Sequence, residues 1–200
     1  MLDLQRFCAL GDDPRDYLKK PWHDGGWMYA TNGHICIRVP FDGSSDVVPR
    51  DKHPNAAALF EKWRAAKSSG FEPLPPLAAG TECGHCKGQK VFKRDECESC
   101  KGEGVFVWHG LQYDCKWCES EPVGAGYVVN SDGALELPCQ HCWGRGLEMQ
   151  EETLGESRFE LAYLQWCAEL PGITYRTHGQ EGAALLPFNG GEVLLMPRRF

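Results

Sequence analysis

The chain has 200 residues, of which 42% are hydrophobic and 24% are charged, and its formal net charge at pH 7 is −7. This composition is typical of a folded globular protein and excludes a disordered chain. The net negative charge gives no support to DNA binding driven by overall attraction to phosphate. Cysteine is unusually frequent, with 11 residues, which indicates disulfides, metal binding or redox chemistry.

The sequence shows no sign of a membrane or secretory protein. No segment approaches the ~20 consecutive apolar residues that a membrane-spanning helix requires. The first residues, MLDLQRFCALGDD, include an acid at Asp3 and no long apolar run, so we expect no secretory signal. We therefore expect a cytoplasmic protein with no membrane partner, in which cysteines are reduced or bound to metal.

Two helices are predicted in the first segment, residues 1–79. Asp13 and Pro14 are typical of an N-cap followed by the first helical residue, and Pro21 ends that helix early. A second helix is predicted at about Pro54–Ser68, because apolar residues recur there at helical spacing before a glycine. These apolar residues are Ala56, Phe60 and Trp63.

A β-hairpin is predicted between these helices, in the stretch WMYATNGHICIRVP. Asn32-Gly33 is a strong hairpin signal, because a type I′ turn needs a positive φ at both positions. A two-residue loop at this point pairs Ala30 with Ile35. The expected core face then carries Met28, Ala30, Ile35, Ile37 and Val39. The opposite face carries Trp27, Tyr29, Cys36 and Arg38.

Eight of the 11 cysteines form four C-x-x-C pairs. The pairs are Cys83/Cys86, Cys97/Cys100, Cys115/Cys118 and Cys139/Cys142. This internal repeat defines a module of residues 80–147, which follows a stiff, proline-rich linker, EPLPPLAAGT. The other three cysteines, Cys8, Cys36 and Cys167, are expected to be small apolar residues of the core.

The repeated pairs predict two zinc sites. Each C-x-x-C pair places two thiolates on one tight turn, and two pairs complete a tetrahedral site of four cysteines, so four pairs imply two structural zinc ions. Glycines follow three of the pairs, where they let the chain reverse behind the metal and point backbone N–H groups at sulfur. The spacing alone does not decide which pairs share an ion. His85 and His141 are alternative ligands that four thiolates per site make unnecessary.

A thiol–disulfide redox protein is the competing interpretation of the first pair. Cys83-Gly84-His85-Cys86 is the tetrapeptide found in protein disulfide isomerases. A redox C-x-x-C motif needs a helix N-terminus, which lowers the pKa of its first thiol. Here Gly88 follows and no helical pattern does, which favours metal binding.

CESCKGEG and CQHCWGRG share the pattern C-x-x-C-x-G-x-G, CGHCKGQK departs from it only at Lys90, and CKWCESEP keeps only the cysteines. Over residues 83–146 this repeat resembles the cysteine-rich zinc domain of the DnaJ (Hsp40) family, a module of short β-hairpins. The resemblance implies that the first and fourth pairs share one zinc and the other two pairs share the second. It therefore implies one site of Cys83, Cys86, Cys139 and Cys142 and another of Cys97, Cys100, Cys115 and Cys118. No J-domain His-Pro-Asp motif occurs, which argues against an Hsp70 co-chaperone role.

The module is also rich in aromatic residues, namely Phe92, Phe106, Trp108, Tyr113, Trp117, Tyr127 and Trp143. They form either the small core of the module or a surface that stacks on nucleic-acid bases or binds an apolar peptide. Lysines near the first two pairs are interleaved with acidic residues, which is typical of a solvated surface.

Residues 148–200 are predicted to contain one helix, a short strand and a final hairpin. Ser157-x-x-Glu160 has the pattern of a capping box at a helix start. Pro171-Gly172 ends this helix, ITYRT is the short strand, and the hairpin turns at Asn189-Gly190. The apolar stripe of the helix consists of Phe159, Tyr163, Trp166, Cys167 and Leu170.

Neither flanking segment has enough elements for a core of its own, so residues 1–79 and 148–200 are predicted to form one discontinuous α+β domain. The stretch YATNGH followed by Arg38, and the C-terminal VLLMPRRF, are similar to two motifs of the bacterial sliding clamp, the β subunit of DNA polymerase III. Those motifs are its A-T-D-G-H-R hairpin and its V-V-M-P-M-R-L ending. The resemblance implies a clamp-like domain, a homo-oligomer, and a role in phage or bacterial DNA metabolism.

No catalytic motif is present that would support an enzyme. H-E-x-x-H, G-x-S-x-G and phosphate-loop patterns do not occur, and Gly124-x-Gly126 is too short for a dinucleotide fingerprint. We therefore predict a non-enzymatic zinc protein, an accessory factor whose partner is nucleic acid or protein. The alternative is a chaperone-like module that binds apolar peptide segments.

Overall fold

The structure is a computed structural model, and it describes residues 2–10, 13–41, 43, 53–67, 70–118, 126–130, 132–133, 135–139 and 141–198. The chain divides into two compact units. The split domain consists of Met1–Gly80 together with Met149–Phe200, and the module consists of Thr81–Glu148. Among the described residues, no helix has both the length and the apolar character needed to cross a bilayer.

The described elements are mostly short strands. The first segment contains two 3-10 turns, Leu4–Phe7 and Asp16–Leu18, and then β1 (Trp22–Asp24), β2 (Trp27–Thr31), β3 (Ile35–Pro40), α1 (Ala56–Ala65) and β4 (Glu72–Pro73). The module contains β5 (Val91–Glu96), β6 (Val105–Trp108), β7 (Leu111–Asp114), β8 (Tyr127–Val129) and β9 (Leu135–Pro138). The last segment contains β10 (Glu151–Leu154), β11 (Ser157–Glu160), α2 (Leu161–Ala168), β12 (Thr174–Tyr175), β13 (Ala184–Phe188) and β14 (Gly191–Leu195).

A five-stranded antiparallel sheet, in the order β1-β2-β3-β14-β13, lies at the centre of the split domain. β3 comes from the first segment and β14 from the last, and they pair with Ile37 opposite Val193. The two segments therefore build one sheet. Together with the two helices, this gives the mixture of helix and open sheet expected of the α+β class.

Both faces of this sheet are buried. One face carries Ala30 and Val193, which belong to the same apolar cluster as Leu164 of α2. The other face carries Tyr29, in a second cluster with Phe60 of α1. The predicted core face is thus buried, and the opposite face is buried as well because the residues of α1 pack on it.

The predicted register of the β2–β3 hairpin is wrong by two residues. Ala30 lies opposite Ile37 instead of Ile35, so a longer connection replaces the expected two-residue loop. The side-chain oxygen of Asn32 accepts hydrogen bonds from the backbone N–H groups of His34 and Ile35, at 3.0 and 3.2 Å. These bonds close a wider turn than a type I′ turn. Because the shift is an even number, the same residues keep the core face.

The helix predicted after Asp13 is a single 3-10 turn, Asp16–Leu18. The Asp13 carboxylate accepts a hydrogen bond from the backbone N–H of Arg15 at 2.8 Å, as an N-cap would, and it also pairs with the Arg15 guanidinium. Pro21 follows too closely for the turn to continue as an α-helix, because proline supplies no backbone N–H.

The capping box predicted at Ser157 and Glu160 is wrong, because these residues form the two ends of β11. β11 pairs with β10 across a tight turn, with Ser157 opposite Leu154. The Ser157 hydroxyl donates to the carbonyl oxygen of Gly179 and caps no helix. The pairing with β10 makes this segment a strand, and α2 begins only at Leu161.

Helix α1 is shorter than the predicted Pro54–Ser68, whose last residue lies outside the described part of the chain. The side-chain oxygen of Asn55 accepts from the backbone N–H of Ala58 at 3.1 Å and fixes the start. At the other end the Arg176 guanidinium donates to the carbonyl oxygen of Arg64 at 2.7 Å. This long-range bond serves the end of the helix, and the predicted terminal glycine lies several residues farther on.

The final hairpin is confirmed with its predicted turn. Phe188 lies opposite Gly191, so the two residues Asn189-Gly190 connect β13 to β14. The predicted strand ITYRT is shorter in the structure, where β12 pairs with β4 over two residues.

The module contains a three-stranded sheet, β8-β5-β9, and a separate hairpin of β6 and β7. The central strand β5 links the first C-x-x-C pair to the second and pairs with β9 at its start and with β8 at its end. Phe92 and Leu137 are buried in this sheet, and Tyr127 and Val128 are partly buried. These four side chains and the cysteines make up the apolar clusters found in the described part of the module.

Candidate metal centres

The eight paired cysteines come together in two groups of four buried side chains, and within each group all sulfur atoms lie within 4.8 Å of one another. Site 1 combines the first and fourth C-x-x-C pairs, Cys83, Cys86, Cys139 and Cys142. Site 2 combines the second and third pairs, Cys97, Cys100, Cys115 and Cys118. The spacing of the cysteines alone did not decide which pairs share an ion, and the structure brings these pairs together.

The distances between sulfur atoms fit one metal ion per site. A tetrahedral ion with bonds of ~2.3 Å to sulfur separates the sulfur atoms by roughly 3.8 Å. The Sγ atoms of Cys86 and Cys142 in site 1 are 3.6 Å apart, and those of Cys97 and Cys115 in site 2 are 3.9 Å apart. A disulfide would need about 2.05 Å, and none of the 11 cysteines, all of which lie in the described part of the chain, forms a disulfide.

The C-x-x-C-x-G-x-G repeat has a direct conformational cause. After the second cysteine of each such turn, the first, second and fourth residues all have a left-handed backbone, with φ between +49° and +82°. These residues are Lys87, Gly88 and Lys90; Lys101, Gly102 and Gly104; and Trp143, Gly144 and Gly146. Glycine adopts this conformation without steric cost, which explains its recurrence at the second and fourth positions.

We call the fourth of these residues the closing residue of the turn, because its backbone N–H points at sulfur. Gly104 donates to Cys100 Sγ and Gly146 to Cys142 Sγ, each at 3.2 Å. Lys90 replaces the last glycine of the repeat in the first turn, but its backbone N–H still donates to the sulfur of Cys86. The bond remains because it uses only the backbone. Such N–H dipoles stabilise a thiolate ligand from outside the coordination sphere.

The closing residues also tie the two turns of each site together. In site 1 the backbone N–H of Cys83 donates to the carbonyl oxygen of Gly146 at 2.9 Å, and that of Cys139 donates to Lys90 at 2.8 Å. In site 2 the corresponding bonds, both 2.8 Å, run from Cys97 to Gly126 and from Cys115 to Gly104. In each site, each of the two turns donates one backbone hydrogen bond to the other. The same pattern of bonds occurs in both sites.

Gly126 is the functional residue that sequence reasoning missed. It closes the third turn, eight residues after Cys118 instead of four, and its N–H donates to Cys118 Sγ at 3.1 Å. Its φ is +92°, and a Cβ atom there would lie 2.1 Å from the carbonyl oxygen of Gly102. The only sequence signal was the Gly-x-Gly that follows the third pair at an irregular distance.

The thiols of site 2 differ in acidity. The backbone N–H of Cys100 lowers the pKa of the Cys97 thiol to about 7. Burial raises the pKa of the Cys118 thiol to about 12. A cation among four sulfur atoms favours the thiolate form of all of them. Metal binding at this site therefore releases protons and weakens as the pH falls.

The remaining cysteines and histidines take no part in the two sites. Cys8, Cys36 and Cys167 are buried, and burial raises the pKa of the Cys36 and Cys167 thiols to about 12. Such thiols are inert. His85 and His141 are exposed and stack on each other, with 5.0 Å between ring centroids.

Most of the aromatic residues of the module lie at its surface. Phe92 is buried and Tyr127 is partly buried, so the small-core interpretation holds only for these two. The five exposed aromatic residues are Phe106, Trp108, Tyr113, Trp117 and Trp143. The module therefore has more exposed than buried aromatic residues.

Comparison of the chain with family models, with curated proteins and with solved structures finds no match. The resemblances to the DnaJ zinc domain and to the sliding clamp therefore rest on the motifs quoted above.

Proposed function

We propose that this chain is a non-enzymatic binding protein whose module is folded by two structural zinc ions, one in each four-cysteine site. Zinc supports this assignment because it favours tetrahedral coordination by thiolates, and structural zinc sites use four protein ligands. A site with four thiolates keeps no open position for a water molecule or a substrate, which argues against metal catalysis. The observation that carries the proposal is the one-ion spacing of four buried sulfur atoms in both sites.

The zinc ions are structural because the described part of the module has few other features that stabilise it. Its described apolar clusters amount to Phe92, Leu137 and parts of Tyr127 and Val128, apart from the cysteines themselves. A core this small stabilises few strands, whereas zinc binding to four thiolates supplies folding free energy directly. The N–H···S bonds and the reciprocal backbone bonds then fix the geometry of each site.

The partner is a protein or a nucleic acid. The exposed aromatic side chains of the module support a role in binding, since aromatic side chains are enriched in interfaces and also stack on bases. The DnaJ-type repeat supports a chaperone-like version that takes apolar segments. The clamp-type motifs are the sole support for an accessory role in phage or bacterial DNA metabolism, and for assembly into a homo-oligomer.

Metal analysis tests the zinc assignment. Metal-replete full-length protein should contain two zinc ions per chain, and Cys142→Ser should reduce this to one by opening site 1. Cys8→Ala is the matched control, because Cys8 is also buried but lies in the split domain, and it should retain two. Fewer than two zinc ions in the unaltered protein, with the module thiols reacting freely, would overturn the proposal.

A further inference from the structure

The β6–β7 hairpin has an apolar surface that is exposed instead of buried. Phe106 lies opposite Tyr113 and Trp108 lies opposite Leu111. Alternation along the strands puts these four side chains on one side, which we call the hairpin face. Their exposed fractions lie between 42% and 63%, and the rings of Phe106 and Tyr113 stack at 5.7 Å.

Site 2 anchors this hairpin. None of the eight residues of β6 and β7 is buried. The strands join site 2 at their base, where Cys115 N–H donates to the carbonyl oxygen of Gly104 at 2.8 Å. An isolated two-stranded hairpin is marginally stable in water, so the metal site below it keeps the hairpin face in a fixed arrangement. The face is held in place, and no described residue buries it.

The size of the hairpin face favours a short segment as its occupant. With ~150–250 Å² for each aromatic side chain and about half of each exposed, the face offers roughly 400 Å². This is typical of functional apolar patches on single proteins, which measure ~300–600 Å². It is about half of the ~800 Å² that each partner contributes to a stable interface, so a second copy of the chain would bind poorly through this face alone.

The charge around the hairpin favours a basic occupant. Residues 93–118, which contain site 2 and the hairpin, have four Lys or Arg and five Asp or Glu side chains, and β6 and β7 contain no Lys or Arg. Four thiolates around one Zn²⁺ add two further negative charges. The resulting field attracts Lys and Arg side chains and repels phosphate, which disfavours a nucleic acid at this face.

We propose that the hairpin face is the docking surface of the module and that it binds a short protein segment in which apolar side chains are flanked by Lys or Arg. The aromatic side chains contact the apolar residues, and the negative surroundings orient the basic ones. This inference rests on the proposed function, because zinc at site 2 anchors the hairpin and supplies part of the charge.

Fluorescence anisotropy with zinc-loaded full-length protein tests the docking surface. The probes are a labelled 12-residue peptide with a Leu/Phe centre flanked by Lys, the same peptide with Glu in place of Lys, and a single-stranded oligothymidylate. The Lys peptide should bind, and the double variant Trp108→Ser/Leu111→Ser should weaken this binding at least about tenfold. Val107→Ser is the matched control, because Val107 is 71% exposed on the opposite side of the same hairpin, and it should change binding less than about twofold.

The other possible outcomes distinguish failure of the docking proposal from failure of the zinc assignment. Equal binding of the Glu peptide, tighter binding of the oligothymidylate, loss of binding in Val107→Ser, or a dimer that depends on Trp108 would overturn the inference. Zinc is measured on the same samples. Two zinc ions per chain without peptide binding would overturn the inference and leave the proposed function standing, whereas fewer than two would overturn both.

Discussion

The closing residue of each C-x-x-C turn needs a left-handed backbone and a close approach to the neighbouring turn, and Gly126 meets both requirements. Gly126→Ala would put a Cβ atom 2.1 Å from the backbone oxygen of Gly102. We expect the variant to bind one zinc ion per chain instead of two, because site 2 cannot close. Metal analysis after gel filtration measures this.

Gly110→Ala is the control for Gly126→Ala. Gly110 also has a left-handed backbone, with φ +77°, but a Cβ atom there meets no atom within 4 Å. This variant should cost only the conformational strain, about 1 kcal/mol, and should keep both ions. Two zinc ions bound by Gly126→Ala as tightly as by the unaltered protein would contradict the role given to Gly126.

At the residue scale, the repeat predicts the cysteine ligands but not all of the closing residues, whose backbone N–H groups bond the sulfur atoms. The glycines after three pairs mark left-handed positions, and this much follows from the sequence. Lys90 shows that the pattern is not strict, since a lysine with φ +70° occupies a closing position. Gly126 could not be found by spacing, because its distance from Cys118 is twice the usual one and the turn is recognisable only from its backbone bonds.

At the element scale, β3, β14 and α1 are joined by a buried ion pair. Arg38 is 2% exposed, with its guanidinium between the rings of Trp27 and Phe60. It donates to Glu192 at 2.8 Å, and Arg64 of α1 also pairs with Glu192. Burial acts to raise the pKa of Glu192, but the bonds from the two arginines outweigh it and hold that pKa below the ordinary 4.5.

Glu192→Gln should therefore make the split domain less stable in a pH-dependent way. A carboxylate whose folded pKa is depressed stabilises the fold above its unfolded pKa, and this contribution is lost as the pH falls through the folded pKa. We expect a loss of about 2 kcal/mol at pH 7, since charged hydrogen bonds contribute ~1.5–3 kcal/mol. The difference from the unaltered protein should shrink below about pH 4. Urea unfolding, followed by NMR signals of β3 and β14, measures both.

Glu181→Gln is the control for this prediction. It removes the same charge from an exposed position and should change stability by less than about 0.5 kcal/mol at either pH. A destabilisation by Glu192→Gln that is equally large at about pH 7 and about pH 3 would show that the Glu192 charge is not what joins these elements.

Elements fixed by local interactions are the ones that the sequence predicts best. The final hairpin turns at Asn189-Gly190 as predicted, because a short turn signal of this kind depends only on neighbouring residues. The segment at Ser157 looked like a helix start and is a strand, because pairing with β10 outweighs a local capping pattern. The same limit applies to the end of α1, which a bond from the distant Arg176 serves.

At the scale of the whole molecule, the two units depend on different forces. The split domain buries large apolar clusters on both faces of a sheet that combines both ends of the chain. The module has two four-sulfur sites and a minimal apolar core. The cysteine repeat indicates such a module from sequence alone, whereas the pairing of β3 with β14 is non-local and has no short motif that specifies it.

The fold of the module depends on metal, and hydrogen–deuterium exchange before and after zinc removal measures this dependence. Chelation of zinc from the full-length protein should abolish protection in Thr81–Glu148, including β5 and β9, and should leave β3 and β14 protected. Unchanged protection of β5 and β9, in protein shown by metal analysis to be free of zinc, would show that the module folds without metal.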